Sequence, residues 1–147
     1  MECIKAFYNK ELSKTDDAFD ILYIGISILE NDFIDVKTWA KELFMLSLTK
    51  ADNTSDFFDI LQIITSQKCF DDKNWTINLF HFALQKVKTR TSLKFIADCI
   101  DDGYYIGDTH KAEIIYKYCS TKLWTFSDPI LFLPKLHQEL YNDALKV

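Results

Sequence analysis

The sequence predicts an all-α fold, a short α-α solenoid of about four helix pairs with a 36-residue repeat. Three observations predict it. Trp39 and Trp75 stand 36 residues apart, and the same offset pairs Leu43 with Leu79, Phe44 with Phe80, Leu48 with Leu84, Phe57 with Leu93, Ile60 with Ile96 and Ile64 with Ile100. Within each unit apolar residues recur at helical spacing, as in Leu43, Phe44 and Leu48, then Phe57, Ile60, Leu61 and Ile64. The chain's three glycines and two prolines are too few for a β-sandwich, which needs a turn signal every ~8–12 residues.

Taken in order, the spacing predicts helices over 2–13, 16–30, 36–50, 54–67, 73–87, 90–102 and 109–122. The expected N-caps are Thr15, Asn53 or Thr54, Asp72, Thr89 or Thr91, and Asp108 or Thr109, all residues whose side chains can accept from free N–H groups in a first turn. Ser127 with Pro129 opens a short helix, and Pro134 fits the first turn of a last helix reaching about 146, because proline there leaves no hydrogen bond unmade. The 36-residue shift also brings Phe7, Tyr8, Leu12, Ile21, Ile24 and Ile28 under the columns of the second unit, and Ile115 and Tyr116 continue them. One domain over residues 1–147 follows, with units near 4–39, 40–75, 76–111 and 112–147. A helix pair cannot bury its apolar face alone, so successive pairs stack and the divergent terminal units act as caps. The arrangement resembles tetratricopeptide and HEAT-type repeats in unit length and helix-pair logic, without the W-x-x-L-G-x-x-Y run of the former.

Composition narrows function. A chain that is 48% hydrophobic and 15% aromatic has the material for a core and is not disordered. Net charge is −5, and sixteen of the seventeen basic residues are lysine, so the arginine-rich stripe of a phosphate-backbone reader is missing and no nucleic-acid partner is expected. Residues 1–73 carry fourteen acidic residues against eight lysines, net −6, whereas residues 74–147 carry eight against nine basic residues, net +1. A regional acidic field attracts a basic partner. The start MECIKAFYNKEL lacks a basic segment followed by an apolar run, and no apolar window approaches ~18 residues, so a cytoplasmic protein without membrane contact is expected. Cys3, Cys69, Cys99 and Cys119 contain no C-x-x-C pair and read as reduced thiols.

The candidate site residues are acidic and aromatic. On the second helix of each unit, columns 20/56/92, 23/59/95, 26/62/98 and 30/66/102 hold Asp-Asp-Ser, Tyr-Asp-Phe, Ile-Gln-Asp and Glu-Ser-Asp. Second helices of a solenoid commonly line its ligand-binding side, which makes Asp20, Tyr23, Asp56, Asp59, Asp98, Asp101 and Asp102 candidate partner contacts. Each aspartate taken singly also reads as a cap or a solvated face. Tyr104, Tyr105 and Trp124 read either as partner anchors projecting from turns or as cover for the terminal core.

Chemistry finds no motif. Neither FDDKNW nor DDGYYIGD supplies a calcium loop with its Glu at position twelve, and no metal or cofactor is expected. His81, His110 and His137 are isolated; His81 falls in the column of Met45 on an apolar face and reads as a core or half-buried residue. Gly103-Tyr-Tyr-Ile-Gly107 is no phosphate loop, and its glycines read as a helix end. No enzyme is expected.

In its size, negative charge, helical character and Lys-, Ile-, Phe- and Asp-rich composition, the chain resembles the small all-helical immunity proteins of bacterial contact-dependent inhibition and related polymorphic toxin systems. That resemblance implies a monomeric inhibitor that covers the active site of a basic, nuclease-type toxin. The alternative class is a helical-repeat adaptor or host-interaction protein holding a peptide or helix.

Overall fold

The computed structural model describes residues 2–31, 36–119 and 133–145. Among them all regular structure is helical: α1 (Glu2–Ser13), α2 (Ala18–Leu29), α3 (Val36–Lys50), α4 (Thr54–Thr65), α5 (Lys73–Leu84), α6 (Arg90–Asp101), α7 (Thr109–Cys119) and α8 (Leu133–Leu145). The fold is all-α. The chain divides into two compact units, Met1–Cys69 with α1 to α4 and Phe70–Val147 with α5 to α8.

The 36-residue period is visible in the helix bounds. α2, α4 and α6 begin at 18, 54 and 90 and end at 29, 65 and 101. Their N-caps Asp17, Asn53 and Thr89 share the period, and each side chain accepts from the backbone N–H three residues on, in Asp20, Asp56 and Ser92. Asp72 and Asp108 repeat the device for α5 and α7, with Asp108 Oδ1 accepting from Lys111 N at 2.9 Å. Thr15, expected as the first of these caps, is displaced by Asp17; its hydroxyl instead accepts from Asp17 N and donates to Asp20 Oδ2. α4 and α5 end two and three residues earlier than the periodicity predicts. There the chain tightens into i to i−3 bonds, Ser66 N to Ile63 O and Gln85 N to Phe82 O, both 3.2 Å. The short helix at Ser127–Pro129, and Trp124, lie outside the described residues.

Burial follows the same columns. Ala40, Thr76 and Ala112 are buried, as are Leu43, Leu79 and Ile115, Phe57 and Leu93 with Ile21, and Ile64 and Ile100 with Ile28. Among the described residues, the buried polar side chains of Ser47 and Thr76 are satisfied locally, Ser47 Oγ donating to Phe44 O and Thr76 Oγ1 to Asp72 O. In the first unit the most extensive helix contact is α2 on α3, and Gly25 explains it: a Cβ there would sit 2.9 Å from the fully buried Phe44 ring. In the second unit α6 on α7 is the equivalent contact. Of the glycines at 103 and 107 only Gly107 needs its identity, at φ +73, where the chain leaves α6 and the carbonyl of Asp102 accepts from the amides of Tyr105, Ile106 and Gly107.

Trp39 and Trp75 are half-buried rather than sealed between stacked helices. Within its own unit Trp39 meets Tyr8 at 6.1 Å and Trp75 meets Phe70 at 5.6 Å between ring centroids.

Candidate functional site

In the first unit the α1 and α2 faces enclose a groove of about 520 Å³, lined by Phe7, Tyr8, Glu11, Lys14, Thr15, Asp20, Tyr23, Ile24 and Ser27. Two of the sequence-predicted contacts, Asp20 and Tyr23, stand on its α2 wall. The helix places them there because 20, 23, 24 and 27 follow i, i+3, i+4, i+7 spacing, one helical face. Tyr23 is 54% exposed, and Asp20 holds its carboxylate by accepting from Thr15 Oγ1 at 2.8 Å. The opposite wall was not foreseen. Phe7 and Tyr8 share repeat columns with the buried Leu43 and Phe44, yet Phe7 is 58% exposed. Its ring packs only edge-on to Tyr8 at 5.3 Å, while Asn31 Nδ2 donates to the Tyr8 hydroxyl at 3.3 Å. The sequence signal was available: apolar columns on a terminal helix pair have a neighbouring pair on one side only.

Asp56 and Asp59 lie on α4. Asp56 is half-buried, and Asn53 caps α4 through it: Asp56 N donates to Asn53 Oδ1 at 2.8 Å, while Asp56 Oδ2 accepts from Asn53 Nδ2. Asp59, one turn further, is exposed. No protein-family model, curated protein or solved structure matches this chain.

In the second unit the predicted residues separate into different roles. Asp98 is engaged within the fold: it accepts a short hydrogen bond from the Tyr116 hydroxyl and pairs with Lys94 Nζ at 3.7 Å. Hydrogen bonding to Asp98, with some desolvation, pushes the Tyr116 phenol well above its ordinary value. Asp102 is the C-cap of α6, and its Oδ1 accepts from Tyr104 N at 2.9 Å. Asp101 is exposed. Tyr105 is half-buried, edge-on to Phe70 at 4.8 Å and to Phe80 at 5.8 Å, so it covers core. Tyr104, 56% exposed, leans on the same group through Phe70 and Tyr105.

The nucleophile-bearing and titratable groups sit elsewhere. Cys69, Cys99 and Cys119 are buried and Cys3 is exposed, all as free thiols. Burial, with the charges of Asp98 and Asp102, pushes the Cys99 thiol up to about 12, which leaves it protonated and unreactive. His81 is exposed, where its column suggested a core or half-buried residue: its ring turns to Lys111, whose Nζ lies 3.3 Å from His81 Nε2. Partial burial, Lys111 and then His137 hold His81 below its ordinary pKa. Among the described residues no group of three His, Cys, Asp or Glu side chains converges to hold a metal ion, and no helix is long and apolar enough to cross a membrane.

Proposed function

We propose that this chain is a protein-binding inhibitor, an immunity protein that neutralises a basic, nuclease-type toxin by laying an acidic surface over the toxin's active site. It works in the cytoplasm, without a cofactor or chemistry of its own, as a monomer in the complex. The observation that carries this reading is on α2 and α4. Asp20, Asp56 and Asp59, with the exposed Tyr23, occupy matched positions of two successive units in a region where residues 1–69 hold twelve acidic residues against seven lysines. The ion pairs Lys14–Glu11 and Lys50–Asp16 neutralise two carboxylates and spare those three.

Nucleases surround their catalytic groove with lysine and arginine to hold phosphates, so an acidic surface on a firm helical frame competes for the same charges. Long-range attraction speeds the encounter, and an exposed ring such as Tyr23 supplies contact area that charge alone does not. The test is protection. A toxin-encoding gene adjacent to the gene for this chain is expressed with and without it, and the toxin's nuclease activity is measured against added protein. Stoichiometric inhibition, weakened by Asp56→Lys with Asp59→Lys, is expected; an unaffected nuclease overturns the reading.

A further inference from the structure

We propose that the groove between α1 and α2 seats a basic amphipathic helix of the partner, which lays apolar side chains on Phe7 and Tyr23 and directs lysine or arginine to Glu11 and Asp20. The proposal rests on the reading of this chain as a binder of a basic protein, and it names the structural element that the partner presents.

The shape comes first. On α1 the lining residues Phe7, Tyr8 and Glu11 step at i, i+1 and i+4, with Lys14 just past the helix end, and on α2 Asp20, Tyr23, Ile24 and Ser27 step at i, i+3, i+4 and i+7. Each set is one face of its helix, so the trough runs along the helices for about 10 Å, roughly two turns at 1.5 Å per residue. Two helical faces with a trough between them are the receptor half of a helix-in-groove interaction. The two aromatic rims, Phe7 and Tyr23, are more than half open to solvent, unlike the enclosing walls of a small-molecule pocket.

Charge selects the occupant. Glu11 stands on one wall and Asp20 on the other, with Asp17 in the connecting turn beside Asp16, which Lys50 pairs, against the single lining lysine, Lys14. Lys14 Nζ lies 3.2 Å from Glu11 Oε1, an exposed pair that an incoming cation can replace at little cost. Aromatic faces beside carboxylates favour a cation on a long aliphatic stem, which can lie on the ring while its head reaches the acid. A second copy of this chain is disfavoured, because its own first unit is acidic and would bring like charges together.

The probe is a synthetic helix of about 15 residues, long enough to form turns, with leucines at i, i+3, i+4 and i+7 and lysines on its flanks. Its control keeps the leucines and carries glutamate in place of lysine. Each is titrated into the isotopically labelled full chain, and amide chemical shifts are followed at low and high salt. The lysine peptide is expected to shift residues 7–27, to bind about tenfold more weakly to Phe7→Ala with Tyr23→Ala, and to lose its advantage over the glutamate peptide in Glu11→Gln with Asp20→Asn. Both replaced rings are largely exposed, and thermal melts establish that the variants remain folded. Equal binding of the two peptides, shifts confined to other residues, or concentration-dependent shifts of residues 7–27 without peptide each overturn the groove assignment. Toxin protection separates the two readings. A Phe7→Ala, Tyr23→Ala variant that protects as well as wild type, while Asp56→Lys with Asp59→Lys does not, removes the groove and leaves the inhibitor.

Discussion

Gly25 shows how much one missing methyl carries. Alanine has the better helix propensity by up to ~1 kcal/mol, but its Cβ would meet Phe44 Cε1 at 2.9 Å and Cδ1 at 3.1 Å in a fully buried setting. Gly25→Ala is therefore expected to lower unfolding free energy by about 1–2 kcal/mol in urea titrations, and Phe44→Leu, which shortens the opposing ring, to recover part of that loss in the double variant. Thiol labelling reads burial directly. At mildly alkaline pH one thiol per chain, Cys3, should react fast with an alkylating reagent, while Cys69, Cys99 and Cys119 react only after unfolding. A second fast thiol in the native protein would contradict the burial of those three. His81 and His137 give a sign for pH. Desolvation lowers both, with Lys111 adding to it at His81, so the unfolded chain binds these protons more readily than the folded one. Stability from these groups is present above the ordinary imidazole value of about 6.5 and is lost as pH falls below it. Melting temperature should drop between about pH 7 and pH 5, and His81→Gln with His137→Gln should flatten that drop.

At the scale of elements, the caps and the columns explain why the helices start where they do. The N-caps at 17, 53 and 89, with those at 72 and 108, make one hydrogen-bonding device recur every 36 residues. Asn53→Ala and Thr89→Ala should each cost ~1 kcal/mol, measured by chemical denaturation, because each removes the acceptor for a first-turn N–H. Trp75→Ala should cost about 2 kcal/mol, less than a sealed indole would, since Trp75 is half-buried against Phe70. The periodicity fixed α1 and α3 to the residue, and missed the ends of α4 and α5, where hydrogen bonding tightens within a continuing apolar pattern. The candidate site was half legible. Asp20, Tyr23 and Asp59 were placed by column and reach solvent, whereas Asp98, in a similar column, is taken up by Tyr116 from α7, which no helical offset pairs with it, besides Lys94 one turn back on its own helix.

At the scale of the whole chain the governing quantity is the uneven charge. Residues 1–73 carry net −6 and the remainder net +1, so a basic partner meets its strongest attraction in the first part. Asp59→Lys, at an exposed position, should leave the melting temperature close to wild type, since such substitutions usually change stability by no more than ~0.5 kcal/mol, whereas Asp56→Lys, half-buried in the first turn of α4, should cost up to ~1 kcal/mol, so thermal melts establish that the double variant stays folded. Association with the proposed basic partner should nevertheless slow and lose much of its salt dependence in stopped-flow measurements. Equal rates at low and high salt for wild type would remove steering from the mechanism.

The amino-acid sequence by itself determined the helical class, the 36-residue period and the acidic bias, and narrowed most N-caps to one or two residues while missing Asp17, because each depends on neighbours along the chain or on counting charges. Tertiary structure alone decided which apolar column stays open and which carboxylate is already satisfied. Phe7 and Leu43 occupy one column, yet Phe7 is 58% exposed and Leu43 6%. Burial depends on what packs against a helix, and the repeat offset carries no record of that. Asp59 and Asp98 are both exposed aspartates on second helices, yet only Asp98 meets a phenol, supplied by α7 from eighteen residues along the chain. A carboxylate's availability is thus set by the side chains brought beside it in space.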